Sequence, residues 1–345
     1  MSLLKKLQKN STFKDNRVAV LSESKFLTEK DVTTTNVPAI NIAFSGDPEG
    51  GFGAGLTMIA GPSKHFKTAF GLLMMKSYLE KHKDAVALFY DSEFGTPQAY
   101  FDTFNIDTSR VVHVPVTDLE ELKFDIMNQL KELTTEDDVF IMVDSVGNLA
   151  SKKEVEDAEN MKSAADMTRA KQFKSLFRMV TPHLTMKDIP MVAINHTYDS
   201  QGMFPTKVVS GGTGMYYSAD NIWIVGRQQE KEGTEIAGYN FVINIEKSRY
   251  VKEKAKIPVQ VKFEGGLDKW SGILDMAIDA QLIVKEPGGW YRTVDVETGE
   301  VADKKIRAKD ITSDIYKNIV SSAVFKEWVQ NRYQIASGKL MDGDD

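Results

Sequence analysis

Six short apolar runs recur along the middle of the chain: Leu56–Ala60, Val86–Tyr90, Val111–Val114, Val139–Val143, Met191–Ile194 and Ile222–Val225. Each is nearly continuous in apolar character, the pattern of strands covered on both faces by helices. Amphipathic stretches between them predict helices over Thr68–His82, Gln98–Phe104, Leu119–Leu133 and Ala164–Leu184. In the last, Met167, Ala170, Phe173, Phe177 and Val180 recur at three- and four-residue spacing, with Arg169, Lys171, Lys174 and Arg178 between them. Repeated βα units predict an α/β core around a mainly parallel sheet. After Gly226 the pattern changes to two alternating runs, Tyr239–Glu246 and Ile257–Phe263, strands expected to extend the sheet at one edge.

Three regions are expected. Residues 1–35 read as a basic helical arm, expected to serve in oligomerisation, followed by a linker, extended because Pro38 disfavours helix in the residue before it. Residues 36–270 form the α/β core. Residues 271–345 form a small C-terminal region with helical candidates at Gly272–Gln281 and Ser313–Ser337, and the acidic string Met341–Asp345 is expected to be a disordered tail.

Composition narrows the chemistry. The 345 residues hold 43 Lys and Arg against 49 Asp and Glu, a formal net charge of −6, which argues against a uniformly basic coat for nucleic acid but not against a local basic groove. The absence of cysteine excludes disulfides, thiol nucleophiles and Cys-based zinc sites. The five histidines form no H-E-x-x-H pair, which disfavours a zinc hydrolase. No run reaches the length of a membrane span or a signal peptide, so a soluble, intracellular protein without a membrane partner is expected.

The strongest local signal is Gly61-Pro62-Ser63-Lys64-His65-Phe66-Lys67-Thr68, between a strand and an amphipathic helix. A phosphate-binding loop needs that context, because its backbone N–H groups and the helix N-terminus face the phosphates. Lys67 would reach the β/γ-phosphates and the Thr68 hydroxyl would bind Mg²⁺. Phe66 stands where the usual second glycine belongs; since phenylalanine avoids positive φ, a different local geometry is expected there. Two strands end in acids, Asp144-Ser145 and Asp91-Ser92-Glu93. An isolated Asp after a strand is commonly a helix cap, but in parallel sheets ligands bind at the carboxyl ends of strands, so the three features converge on one crevice.

In order and spacing, GPSKHFKT, LFYDSEFGTPQAY, VFIMVDSVGNLASKKE, DMTRAKQFKSLFRMVTP, AINHTY, GGTGMYYSAD and EKSRYVKEK resemble the RecA-type recombinases, in the form of the UvsX recombinases of large tailed phages. The resemblance spans about residues 40–290, and that form also carries Phe in place of the second glycine. It implies a RecA-type P-loop ATPase core that binds ATP and Mg²⁺ through residues 61–68, with Asp144 as the acid beside the metal. Glu93 would activate the hydrolytic water and Tyr100 would stack on adenine. His196 would occupy the position of a γ-phosphate sensor, with a pH-dependent activity as a consequence. Lys247 and Arg249 would reach a neighbouring protomer's ATP.

The resemblance also implies two mobile DNA-contacting loops, at about residues 150–164 and 197–212. Their candidate contacts are Lys152, Lys153, Lys162, Lys207, the hinge glycines Gly211 and Gly212, and the apolar pair Met203 and Phe204, suited to wedging between bases. Arg169 and Lys174 on the following helix are candidates for phosphate contact. The implied function is ATP-dependent strand exchange by a helical filament on single-stranded DNA, acting with homologous double-stranded DNA, in phage recombination, repair and replication. Implied partners are a single-stranded DNA-binding protein and a recombination mediator, in the cytoplasm of an infected bacterium. A ring helicase with a RecA core and a nucleotide-regulated mediator are the alternatives.

Overall fold

The computed structural model describes residues 2–13, 18–24, 30–160, 168–200 and 206–335. Its main strands are β1 (Gly55–Ala60), β2 (Val86–Asp91), β3 (Val111–Pro115), β4 (Val139–Asp144) and β5 (Pro190–Asn195). There follow a small hairpin of β6 (Thr197–Asp199) and β7 (Lys207–Val209), then β8 (Asn221–Glu232), β9 (Glu235–Lys247), β10 (Lys256–Lys262) and β11 (Gly266–Leu267). One nine-stranded sheet runs in the order β11-β10-β9-β8-β1-β5-β4-β2-β3. From β8 to β3 the neighbours are parallel, and β9, β10 and β11 extend the sheet antiparallel at one edge. The α/β, mainly parallel architecture is thus the expected one.

Strands β1, β4 and β5 are buried at every position, which explains their lack of alternation. Helices Leu119–Glu132 and Thr168–Met186 cover one face, meeting Leu56, Met58 and Ile141 through Leu122, Ile126, Phe173 and Phe177. The other face is covered by the Lys67–Lys81 helix and by a helix over Pro38–Ser45. Val37 is extended, as expected before a proline, but Pro38 is itself the first helical residue. This helix is buried from Pro38 to Phe44, so no amphipathic pattern marks it. The Phe44 ring lies 4.4 Å from Trp223 and 5.5 Å from Phe52.

Gly226 does not end its strand. Strand β8 continues seven residues past Val225, because β9 pairs with it along that length. The Ser313–Ser337 candidate is two helices, Ser313–Ser321 and Ala323–Tyr333. The break is at Ser322, whose extended backbone and side chain cap the second helix at Phe325 N. A three-stranded sheet of Ile283–Glu286, Trp290–Thr293 and Ile306–Arg307 was not foreseen. The C-terminal residues Ile273, Met276, Ile319, Phe325 and Val329 join the same apolar cluster as Phe44 and Trp223.

In the arm, helix Leu3–Asn10 buries none of its residues. The arm joins the core at Asp31, whose carboxylate binds Lys81 Nζ and His82 Nε2 at the end of the Lys67–Lys81 helix, and at Thr33, bridged to Phe52. The acidic tail lies outside the described residues. Replacing Phe44 by Ala leaves a void against Trp223, and we expect a loss of about 3–5 kcal/mol in chemical denaturation; a loss under about 1 kcal/mol would mean this layer is loosely packed.

Candidate active site

Because β1, β2, β4 and β5 run parallel, their carboxyl ends open on one side of the sheet. There they carry the phosphate loop, Glu93, Asp144 and His196. A cavity of about 490 Å³ is lined by Lys67, Thr68, Glu93, Tyr100, Asp144 and His196. The loop closes on itself: Lys67 Nζ donates to Pro62 O at 2.8 Å, and His65 Nδ1 lies 2.8 Å from Ser63 O. Gly61 is required by close approach, since a Cβ there would sit 2.9 Å from Val225 O. Burial depresses the Lys67 ammonium, with Glu93 and Asp144 opposing the shift.

The altered loop geometry expected at Phe66 does not occur. Phe66 takes the left-handed conformation at φ 61°, ψ 16°, where glycine would serve, and Lys64 is likewise at φ 60°. A left-handed non-glycine residue costs roughly 1–2 kcal/mol. The Phe66 ring offsets this by stacking on Phe241 at 5.1 Å and meeting Phe70 edge-on at 5.4 Å, each pair contributing about 0.5–1.5 kcal/mol.

Asp144 is 3% exposed, and its Oδ2 accepts from Thr68 Oγ1 at 2.7 Å. Its Oδ1 is buried with no hydrogen-bond partner among the described residues. Burial pushes the carboxyl up to about 6; the Thr68 hydrogen bond opposes this, and the Glu93 and Asp91 carboxylates add to it. An orphaned carboxylate oxygen beside a threonine hydroxyl fits Mg²⁺, which takes one or two protein oxygens and completes its shell with water and phosphate. Among the described residues no cluster of three or more His, Asp or Glu could hold a metal alone.

Glu93 Oε1 accepts from Ser145 Oγ (2.6 Å), Asn148 Nδ2 (3.1 Å) and His196 Nε2 (3.1 Å). The hydrogen bond from His196, chiefly, holds the Glu93 carboxyl below its ordinary value against its partial burial. Among the described residues Oε2 carries no hydrogen bond and is left for a further ligand. Asp91, buried at the end of β2, accepts from the backbone N–H of Glu93 and Phe94 and so fixes the turn that aims Glu93. The arrangement suits activation of a water beside a phosphate chain.

Residues 2–268 match the family model of the RecA N-terminal domain, and residues 270–329 match the C-terminal domain of the bacteriophage T4 recombination and repair protein. The chain belongs to the RecA family of recombinases. It is 49% identical over 343 residues to the recombination and repair protein of Enterobacteria phage T4, covering 98% of this chain and 87% of that protein. The RecA protein of Tropheryma whipplei is 24% identical over 304 residues, 86% of this chain and 67% of that one. That of Malacoplasma penetrans is 24% identical over 246 residues, 70% and 72% of the respective chains. Members of the RecA family hydrolyse nucleotide and use Mg²⁺.

In this RecA-family chain, Lys247 and Arg249 do not join the cavity. Lys247 pairs with Ile222 near the start of β8, and its Nζ donates to Tyr216 O at 2.7 Å. Arg249 binds Asp220, whose other oxygen accepts from Leu56 N at the start of β1. Both cations therefore lie at the opposite end of the strands from the phosphate loop. Tyr100 lines the cavity, its ring edge-on to Phe104 at 5.7 Å.

The expected DNA loops fall in part within the described residues. The first contains helix Lys152–Glu159, stabilised by a reciprocal cap between Ser151 and Glu154, a signal present in the sequence as S-x-x-E. Lys152 is exposed at its start, and Lys153 pairs with Asp157 at 2.7 Å. The second is the β6–β7 hairpin, in which Lys207 pairs with Asp199 at 2.8 Å. Lys162, Met203 and Phe204 lie outside the described residues. Gly211 and Gly212 both have positive φ, and a Cβ on Gly211 would strike the Phe173 ring. Arg169, the other helix candidate for phosphate contact, turns its guanidinium towards the preceding loop, donating to Leu149 O and Gly147 O and stacking on Phe173. Lys174 is exposed, its stem against Gly214.

Sequence reasoning missed Ser145 and Asn148 as supports of Glu93, although both lie within four residues of the acid that ends β4. It also missed Arg227, Tyr239, Phe241 and Phe263 on the far wall of the cavity, because no local signal after Gly226 shows that the edge strands turn back over the phosphate loop.

The raised Asp144 carboxyl has a measurable consequence. Its folded value lies above the ordinary 3.8, so its contribution to stability is complete below about pH 3.8 and is lost as pH rises to about 6. Without nucleotide or metal, Asp144→Asn should therefore gain on the parent across that window by on the order of 2–3 kcal/mol in thermal or urea unfolding. A difference that stays flat with pH would contradict it.

Proposed function

We propose that the protein is a DNA-dependent ATPase that forms helical filaments on single-stranded DNA and carries out homologous strand exchange. The observation that carries this reading is the pairing of two carboxylates across one phosphate loop. Asp144 is buried with an oxygen free beside Thr68, and Glu93 is held ionised by three donors with Oε2 free.

In this reading Mg²⁺, held by Thr68 and Asp144, supplies positive charge to the phosphate oxygens. Lys67 leaves Pro62 O to bind the β/γ-phosphates, and the loop N–H groups complete the cradle. Glu93 Oε2 takes a proton from the attacking water while Ser145, Asn148 and His196 hold Oε1. Tyr100 packs on the adenine. Lys247 and Arg249, remote from their own loop, serve the neighbour's site, which would tie turnover to assembly. The residues assigned to DNA contact are Lys152, Lys153, Lys162, Arg169, Lys174, Met203, Phe204, Lys207, Gly211 and Gly212. The phosphate contacts are independent of sequence, so homology is read by base pairing. A single-stranded DNA-binding protein, a recombination mediator and the cytoplasm of the infected host complete the setting. Among the described residues no helix is long and apolar enough to cross a membrane.

Electron microscopy with single-stranded DNA and a non-hydrolysable ATP analogue should show helical filaments, and closed rings would favour a helicase. Glu93→Gln should lower DNA-stimulated turnover by at least about 100-fold with ATP binding nearly unchanged; unchanged turnover would remove Glu93 from the mechanism. His196→Gln keeps a donor but removes the imidazole that helps hold Glu93 low. Its acid limb of turnover should therefore move to higher pH, and a profile identical to the parent's would exclude His196 from this role.

A further inference from the structure

We propose that Arg227 is a positioning residue for the nucleotide: with Tyr239 and Phe241 it braces the phosphate loop from the β8–β9 hairpin and thereby sets nucleotide affinity. The inference rests on the nucleotide reading of the site. Two loop residues without glycine's freedom, Lys64 and Phe66, are left-handed, and each meets its own prop from the same hairpin. Arg227 Nη1 donates to Lys64 O at 3.1 Å. Phe241 stacks on the Phe66 ring at 5.1 Å with an interplanar angle of 18°.

The two props are joined. The Arg227 guanidinium lies 4.7 Å from the centroid of the Tyr239 ring, and Tyr239 contacts Phe241 at 6.0 Å. A continuous series therefore runs Lys64, Arg227, Tyr239, Phe241, Phe66, beginning and ending on the loop. A planar fork that can hold a carbonyl with one edge while its face rests on an aromatic ring is a property of arginine, not lysine. Arg227 is exposed and Gly226 precedes it, so packing of the core does not require it. The brace fixes the carbonyl of a loop whose N–H groups must all point at phosphate, and its loss should be read in binding rather than in the chemical step.

The test compares parent, Arg227→Gln, Lys64→Gly, the double variant and Lys67→Ala. Binding of ATP carrying a fluorescent group on the ribose is measured together with DNA-stimulated KM and kcat. Arg227→Gln should raise Kd and KM roughly tenfold, with kcat at saturating ATP within about twofold and an unchanged melting temperature without nucleotide. In the Lys64→Gly background, where glycine holds the left-handed turn unaided, the same substitution should cost less than about threefold. Equal factors in the two backgrounds would overturn the brace, as would an unchanged Kd for Arg227→Gln while Lys67→Ala abolishes binding. Undiminished binding by Lys67→Ala would instead overturn the nucleotide reading and the brace with it.

Discussion

The arrangement depends on keeping a carboxylate in the interior of a sheet without a partner for one of its oxygens. Asp144 can be held there because β4 is parallel to both neighbours and buried throughout, so little of the carboxyl reaches water except through the cavity it lines. The cost of that burial appears as the raised proton affinity, and only a cation or a proton relieves it. Asp91, its partner across β2 and β4, sharpens the demand while itself being satisfied by backbone N–H groups. The site thus favours a positive charge beside Asp144, and on the proposed reading that charge is the Mg²⁺ that accompanies a nucleotide.

Much of this was legible because parallel strands announce themselves. All six apolar runs are strands of the sheet, and their termini place Lys67, Thr68, Glu93, Asp144 and His196 around one cavity with no further assumption. What was hidden was hidden for local reasons. Pro38–Ser45 is buried on all sides and carries no helical period. Gly226 resembles a terminator, yet its strand is maintained by pairing with residues some sixteen positions further on, information no local window contains. Arg169 falls between apolar positions like the other basic residues of its helix, and only the tertiary fold shows two carbonyls waiting for it.

Phe66 illustrates how a loop departs from a pattern without losing its shape. A glycine would give the left-handed turn at no steric cost but would contribute no packing and much freedom in the unfolded chain. A phenylalanine supplies the converse: strain in the backbone and a ring set between Phe70 and Phe241. The loop becomes part of the aromatic core and stiffer for it, with its geometry dependent on a hairpin far along the chain.

The Lys67–Lys81 helix begins at the phosphate loop and ends where Lys81 and His82 grip Asp31 at the root of the arm. Fifteen residues at about 1.5 Å each make a rod of roughly 22 Å, packed along its whole length and without a proline to bend it. A displacement at one end of such a rod is a displacement at the other. The phosphate loop and the point where the arm leaves the body are therefore the two ends of one rod, and a shift of the loop along its axis would be felt at Asp31.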